Sequence, residues 1–174
     1  MGKICYCVAM SLDGYIAGPG GEYDWIPEDP EADVDLARIW TKYDTFLMGR
    51  KTYEVAVAGM GAKAFLGYKT VVVSRTMDPA QHPSIRIVRE PTRELVEELR
   101  LTARKDIWLF GGAQLFRALL DLNAVDAVEV SAMPVLLGEG IKVMPGPYEH
   151  RRLRLVGHKV YRSGIAHLNY ELVP

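Results

Sequence analysis

The sequence predicts a single α/β domain: a mostly parallel sheet whose antiparallel edge strands are added last. Strand-like and helix-like stretches alternate as far as Leu122, the order in which βα units build a parallel sheet. From Ala127 onward the pattern is strand alone, which suits antiparallel additions to an edge. The length of 174 residues fits one core.

Composition narrows the class. Hydrophobic residues make up 49% and charged residues 25%, a globular balance. Lys+Arg is 21 against Asp+Glu 22, a net charge of −1, so the broad basic field needed for nucleic acid or an anionic membrane is missing. Charge or Gly breaks every apolar stretch within about ten residues, too soon to span a bilayer. The opening Met1-Gly-Lys-Ile-Cys-Tyr-Cys-Val-Ala9 lacks the basic start, apolar run and small-residue cleavage site of a signal peptide. A soluble cytoplasmic domain is expected.

Each element has a local reason. Lys3–Met10 is β-branched, aromatic and small, and Ser11-Leu-Asp-Gly14 supplies a turn after it. Gly18-Pro-Gly-Gly21 reads as a flexible loop leading into Glu22-Tyr-Asp-Trp25. Pro30–Lys42 reads as a helix opened by acidic residues. Thr45–Met48 is a short buried strand stopped by Gly49, and Arg50–Ala58 turns into helix at once. Thr70–Ser74 is the clearest strand, and Ile85–Val88 is the next. Thr92–Leu101 carries Leu95, Val96 and Leu99 at helical spacing, with Thr92 as N-cap. Ile107–Phe110 is a strand, and Gly111-Gly112 leads into the amphipathic Gln114–Leu122. Ala127–Ala132, Leu153–Tyr161 and Ala166–Val173 close the chain as strands.

Cys5 and Cys7 are too few for a disulfide scaffold or a four-thiolate metal site. Two apart on one strand, they share a face and are expected as buried free thiols. His82, His150, His158 and His167 show no ligand spacing, so no metal site is expected. Gly59-Met-Gly-Ala-Lys-Ala64 matches GxGxxA, yet Gly67 follows too soon for the long helix a dinucleotide fingerprint requires. A mobile loop is expected there.

Three strand-to-helix junctions suggest chemistry. At the first, Gly49 precedes Arg50, Lys51 and Thr52. Cations at a helix N-terminus oppose the macrodipole, which makes sense where an anion is held. At the second, a strand ends in Ser74 and Arg75, a hydroxyl and a bidentate fork suited to a terminal phosphate. At the third, Gly111 and Gly112 separate strand from helix and admit a ligand close to the backbone. All three lie beyond the carboxyl ends of strands, where open sheets bind ligands. Together they predict a phosphate-bearing cofactor.

Five segments then carry a resemblance: Met10-Ser-Leu-Asp-Gly-Tyr-Ile-Ala17, Met48-Gly-Arg-Lys-Thr-Tyr-Glu54, Val72-Val-Ser-Arg75, Leu109-Phe-Gly-Gly-Ala113 and Pro134-Val-Leu-Leu-Gly-Glu-Gly140. Their order resembles the dihydrofolate reductase superfamily, in its branch related to the reductase domain of riboflavin biosynthesis. The resemblance spans nearly the whole chain. It implies a dihydrofolate reductase-like fold, a twisted mixed sheet of about eight strands flanked by helices, and an NADPH-dependent reductase. By that resemblance Ala9 and Ile16 line the nicotinamide. Gly49, Arg50, Lys51 and Thr52 hold the pyrophosphate and the adenosine phosphate side. Ser74 and Arg75 take the 2′-phosphate, and Gly111, Gly112, Ala113, Gln114 and Leu115 the pyrophosphate.

The chain departs from the family in two places. Phe110 stands where riboflavin-pathway reductases carry Glu, and the deaminase portion often fused to them is not in this chain. The implied substrate is a small heterocycle or a ribosylamino-pyrimidine, reduced by hydride transfer in an enzyme expected to be a homodimer. Asp24 or Asp35 is the expected proton relay, because a half-buried carboxyl can have a raised pKa. The alternatives are pterin reduction and a non-catalytic NADPH-binding protein.

Overall fold

The computed structural model describes residues 1–173. Six strands run parallel: β1 (Ile4–Ser11), β3 (Tyr43–Gly49), β4 (Lys69–Val73), β5 (Arg86–Val88), β6 (Asp106–Gly111) and β7 (Ala127–Met133). Two antiparallel strands, β9 (Leu153–Val160) and β10 (Ala166–Leu172), extend the β7 side. The order across the eight-stranded sheet is β5-β4-β3-β6-β1-β7-β10-β9. This is the mostly parallel sheet with late antiparallel edges that the sequence predicts. A separate two-stranded ribbon pairs β2 (Tyr15–Ala17) with β8 (Ile141–Lys142); it was not expected, since neither strand is long enough to show a period.

Side-chain alternation along the central strands divides two faces. On one, Ile4, Tyr6, Leu47, Val71, Ile107 and Leu109 pack with α3 (Arg93–Thr102) and α4 (Ala113–Asp121). On the other, Cys5, Phe46, Met48, Val72 and Trp108 meet α1 (Pro30–Trp40) and α2 (Arg50–Met60). That second face is aromatic: Phe46 is fully buried, with the rings of Trp40 and Tyr68 each 4.9 Å away. Each such buried side chain is worth about 1.5–3 kcal/mol. Phe110 belongs to the same cluster, 5.3 Å from Trp108 and 5.8 Å from Phe46. Its identity is explained by packing.

The segment Gly59–Ala64, expected as a mobile loop, is instead the end of α2 and a 3₁₀ turn over Ala62–Phe65. Phe65, 5% exposed, anchors that turn in the aromatic cluster. No helix among the described residues is long and apolar enough to cross a membrane.

Candidate active site

The four helices begin in two different ways. Asp29 caps α1, accepting from the N–H groups of Glu31 and Ala32 at 2.9 and 3.0 Å, and Thr92 caps α3 through Leu95 N–H at 3.2 Å. Both helices also carry acids in the first turn. By contrast α2 and α4 start at Gly49 and Gly112, with no side-chain cap and no first-turn acid. Their first N–H groups and the positive ends of their dipoles are left for an anion.

These two open helix ends lie side by side. In the β3–β6 register Leu47 faces Leu109 and Met48 faces Gly111, so Phe110 is an extra residue that brings the Gly pair level with the end of β3. A Cβ on Gly49 would lie 3.8 Å from Gly112 N, and a Cβ on Gly112 would lie 3.1 Å from Thr52 Oγ1. Gly111 has φ +119, a conformation that favours glycine; the peptide joining the pair is cis. Gly49, Thr52, Gly111 and Gly112 thus form one glycine-lined cradle. Exposed Arg50, Lys51 and Gln114 stand around it, and Arg50 Nη1 also reaches Glu54 at 3.3 Å.

Ser74 and Arg75 follow directly on Val73, which pairs with Gly49. The Ser74 hydroxyl oxygen accepts from Thr76 N–H at 3.2 Å and Met77 N–H at 3.1 Å, fixing the turn from which Arg75 projects. Arg75 is exposed, with Glu90 Oε2 3.6 Å away. Two members of the expected set face elsewhere. Leu115 is buried in the core, and its N–H donates to Gly112 O at 3.0 Å. Ala113 is buried too, so only its N–H can serve the cradle.

Ala9, on β1, packs against the small buried cluster of Met133, Tyr161 and Ile165, and Ile16 is half-buried in β2. The loop between β2 and α1 is held at two points: Trp25 packs against that same cluster, while the Tyr23 hydroxyl sits against Gly59 of α2. Asp13 ties the turn after β1 to the loop after β7. It accepts from Ser11 Oγ at 2.6 Å, Gly138 N–H at 2.7 Å and Leu137 N–H at 3.1 Å, bonds that pull its pKa down to about 2. The Ser-Leu-Asp-Gly and Pro-Val-Leu-Leu-Gly segments therefore bind each other, a pairing that their separation of more than a hundred residues hid from the sequence.

The raised pKa expected of Asp35 requires correction. Asp35 is bound by Lys159 Nζ, by Tyr161 Oη at 3.0 Å and by Arg38 Nη1 at 3.2 Å. Lys159 first, then Tyr161, lowers its pKa where a raised value was expected. It is a fastener between α1 and β9. Asp24 lies in an exposed turn, with no hydrogen-bond partner among the described residues. Asp29 is also held ionised, by the Ser163 hydroxyl and the capping N–H of Ala32.

Residues 2–60 and 62–167 match the family model described as the RibD C-terminal domain. The Bacillus subtilis (strain 168) uncharacterized protein YyaP is 30% identical over 179 residues, covering 97% of this chain and 94% of that one. Its counterpart YwjB, from the same strain, is 28% identical, with 94% of each chain covered. A putative riboflavin biosynthesis protein from Shewanella sp. PV-4 superposes with a TM-score of 0.85 at 19% identity, covering 99% of both chains. Acinetobacter baumannii RibD superposes with a TM-score of 0.74 at 17% identity, covering all of this chain and 59% of that one. These likenesses establish the dihydrofolate reductase-like fold.

Proposed function

Since the chain belongs to the RibD C-terminal domain family, we propose that it is an NADPH-dependent reductase of the riboflavin-biosynthesis type. Its substrate would be a small heterocycle or ribosylamino-pyrimidine resembling 5-amino-6-(5-phosphoribosylamino)uracil. The observation that carries this is the pair of uncapped helix N-termini converging on Gly49, Thr52, Gly111 and Gly112. The cradle suits a pyrophosphate: the first N–H groups of α2 and α4 have no side-chain cap, their dipoles favour negative charge, and glycines allow a ligand close to the backbone. Arg75, two residues beyond the end of β4, suits a 2′-phosphate.

NADPH would supply the hydride, and the protein supplies position. Gly49, Thr52, Gly112 and the first-turn N–H groups of α2 and α4 fix the phosphates. Ala9 and Ile16 would give the nicotinamide an apolar wall, and Trp25, packed against the same buried cluster as Ala9, would help to exclude water. Asp13, Asp29 and Asp35 are all held ionised, so we assign the proton to solvent. That favours this type of reductase over pterin reduction by a carboxylic acid. It also leaves a non-catalytic NADPH-binding protein as the second candidate.

A screen that follows loss of NADPH absorbance over ribosylamino-pyrimidines and pterins tests the choice. Turnover of a ribosylamino-pyrimidine is expected; tight NADPH binding with no turnover would select the second candidate. We also propose a homodimer formed through β9, whose outer edge is unpaired and exposes Leu153, Leu155, Val156 and Val160.

A further inference from the structure

A second cluster lies outside the cofactor cradle, on the face of β1 that carries Cys5 and Cys7. Their sulfurs are 3.4 Å apart, and Cys7 Sγ is 3.1 Å from the Tyr43 hydroxyl. Across the sheet Cys7 pairs with Glu129 of β7, and Glu129 pairs with Asn169 of β10. The two sulfurs and a Glu129 carboxylate oxygen all lie within 4.8 Å of one another. Cys5, Tyr43, Glu129 and Asn169 line a cavity of about 210 Å³.

Two oxygens in this row are unexplained. Glu129 Oε2 and Asn169 Oδ1 are buried without a hydrogen-bond partner among the described residues. His167 Nε2, at 3.8 Å from Glu129 Oε2, is too far for a hydrogen bond. An unsatisfied carboxylate oxygen is costly to bury, and nothing in the cofactor cradle accounts for it.

We propose that Cys5, Cys7 and Glu129 form a binding site for one thiophilic divalent cation of the zinc type. Two thiolates select a soft or borderline metal over magnesium or calcium. In a tetrahedral zinc site with Zn–S near 2.3 Å, two sulfurs stand about 3.8 Å apart, close to the 3.4 Å found here. A disulfide would need about 2.05 Å. Glu129, on a rotatable side chain, completes three protein ligands. The fourth position faces the cavity, where Asn169 Oδ1, the Tyr43 oxygen or water can fill it. Because Cys5 and Cys7 sit toward the start of β1 and the cradle lies beyond the strand ends, the site is independent of the reductase assignment.

The test uses the full chain, reduced and freed of metal with a chelator, then titrated with zinc against a chromophoric competitor and separately with cadmium. One zinc per chain is expected, as is a cadmium–thiolate charge-transfer band. Cys7→Ser should lower zinc affinity by more than about a hundredfold, beyond the loss of an outer-shell partner. Glu129→Gln, which keeps shape and fold, should lower it by at least about tenfold. Zinc should also protect both thiols of the wild type from alkylation, a readout that needs no variant. No binding, cadmium binding without the thiolate band, or an affinity unchanged in Glu129→Gln would overturn the proposal.

Discussion

Replacing Arg75 by alanine gives the sharpest view of cofactor choice. The side chain is 75% exposed and pairs with Glu90 only at 3.6 Å, itself 63% exposed. An exposed pair of this kind contributes about 0–1 kcal/mol. A guanidinium on a phosphate contributes about 1.5–3 kcal/mol. Exchanging Glu90 for the 2′-phosphate therefore leaves roughly 1–2 kcal/mol, or about five- to thirtyfold in affinity. Titration of NADPH and NADH, followed by cofactor fluorescence, should show that factor lost for NADPH in Arg75→Ala, with NADH unchanged. Glu90→Gln should act in the opposite direction, strengthening NADPH binding about two- to fivefold, because it frees Arg75 and removes a charge facing the phosphate. Both effects should shrink as salt is raised. Equal wild-type affinities for the two cofactors, or equal weakening of both in Arg75→Ala, would refute the assignment.

Gly112→Val puts a branched side chain at the mouth of the cradle, where even a Cβ stands 3.1 Å from Thr52 Oγ1. NADPH affinity should fall by about a hundredfold or more while circular dichroism is retained, since the cofactor must approach the backbone there. Asp35→Asn should leave NADPH binding and the pH profile of turnover unchanged, but lower the melting temperature at neutral pH by a few degrees. Because the folded pKa of Asp35 is depressed, its contribution is present above about pH 4 and is lost as pH falls through the folded value. The melting temperatures of wild type and variant should therefore converge in acid. If the proposed dimer forms through β9, Val156→Asp should make the protein a monomer by light scattering, without loss of helix content.

What the sequence could reveal was set by the range of each interaction. The parallel strands were legible because their apolar runs are continuous, and the α3 cap because Thr92 adjoins its helix. The open helix start at Gly49 was legible in part, because cations stand at Arg50 and Lys51 where a helix usually carries acids. Leu115 was misplaced because the residues after a Gly pair alternate between cleft and core, and α4 turns Leu115 inward. Asp35 was misassigned because its partners Lys159 and Tyr161 lie more than a hundred positions away and reverse the sign of its pKa shift. The Cys5–Cys7–Glu129 group was invisible for the same reason, as β7 becomes the neighbour of β1 only in the folded sheet.

The central claim is that the open N-termini of α2 and α4 hold the cofactor's phosphates, and amide NMR during an NADPH titration tests it most directly. The backbone N–H signals of Arg50, Lys51, Thr52, Ala113 and Gln114 should move most, as expected for donors that gain an anionic acceptor. Those of Glu31, Ala32 and Leu95, already bonded to the caps of α1 and α3, should stay in place. Saturating NADPH that leaves the α2 and α4 amides unmoved, or that shifts the capped helices equally, would contradict the account.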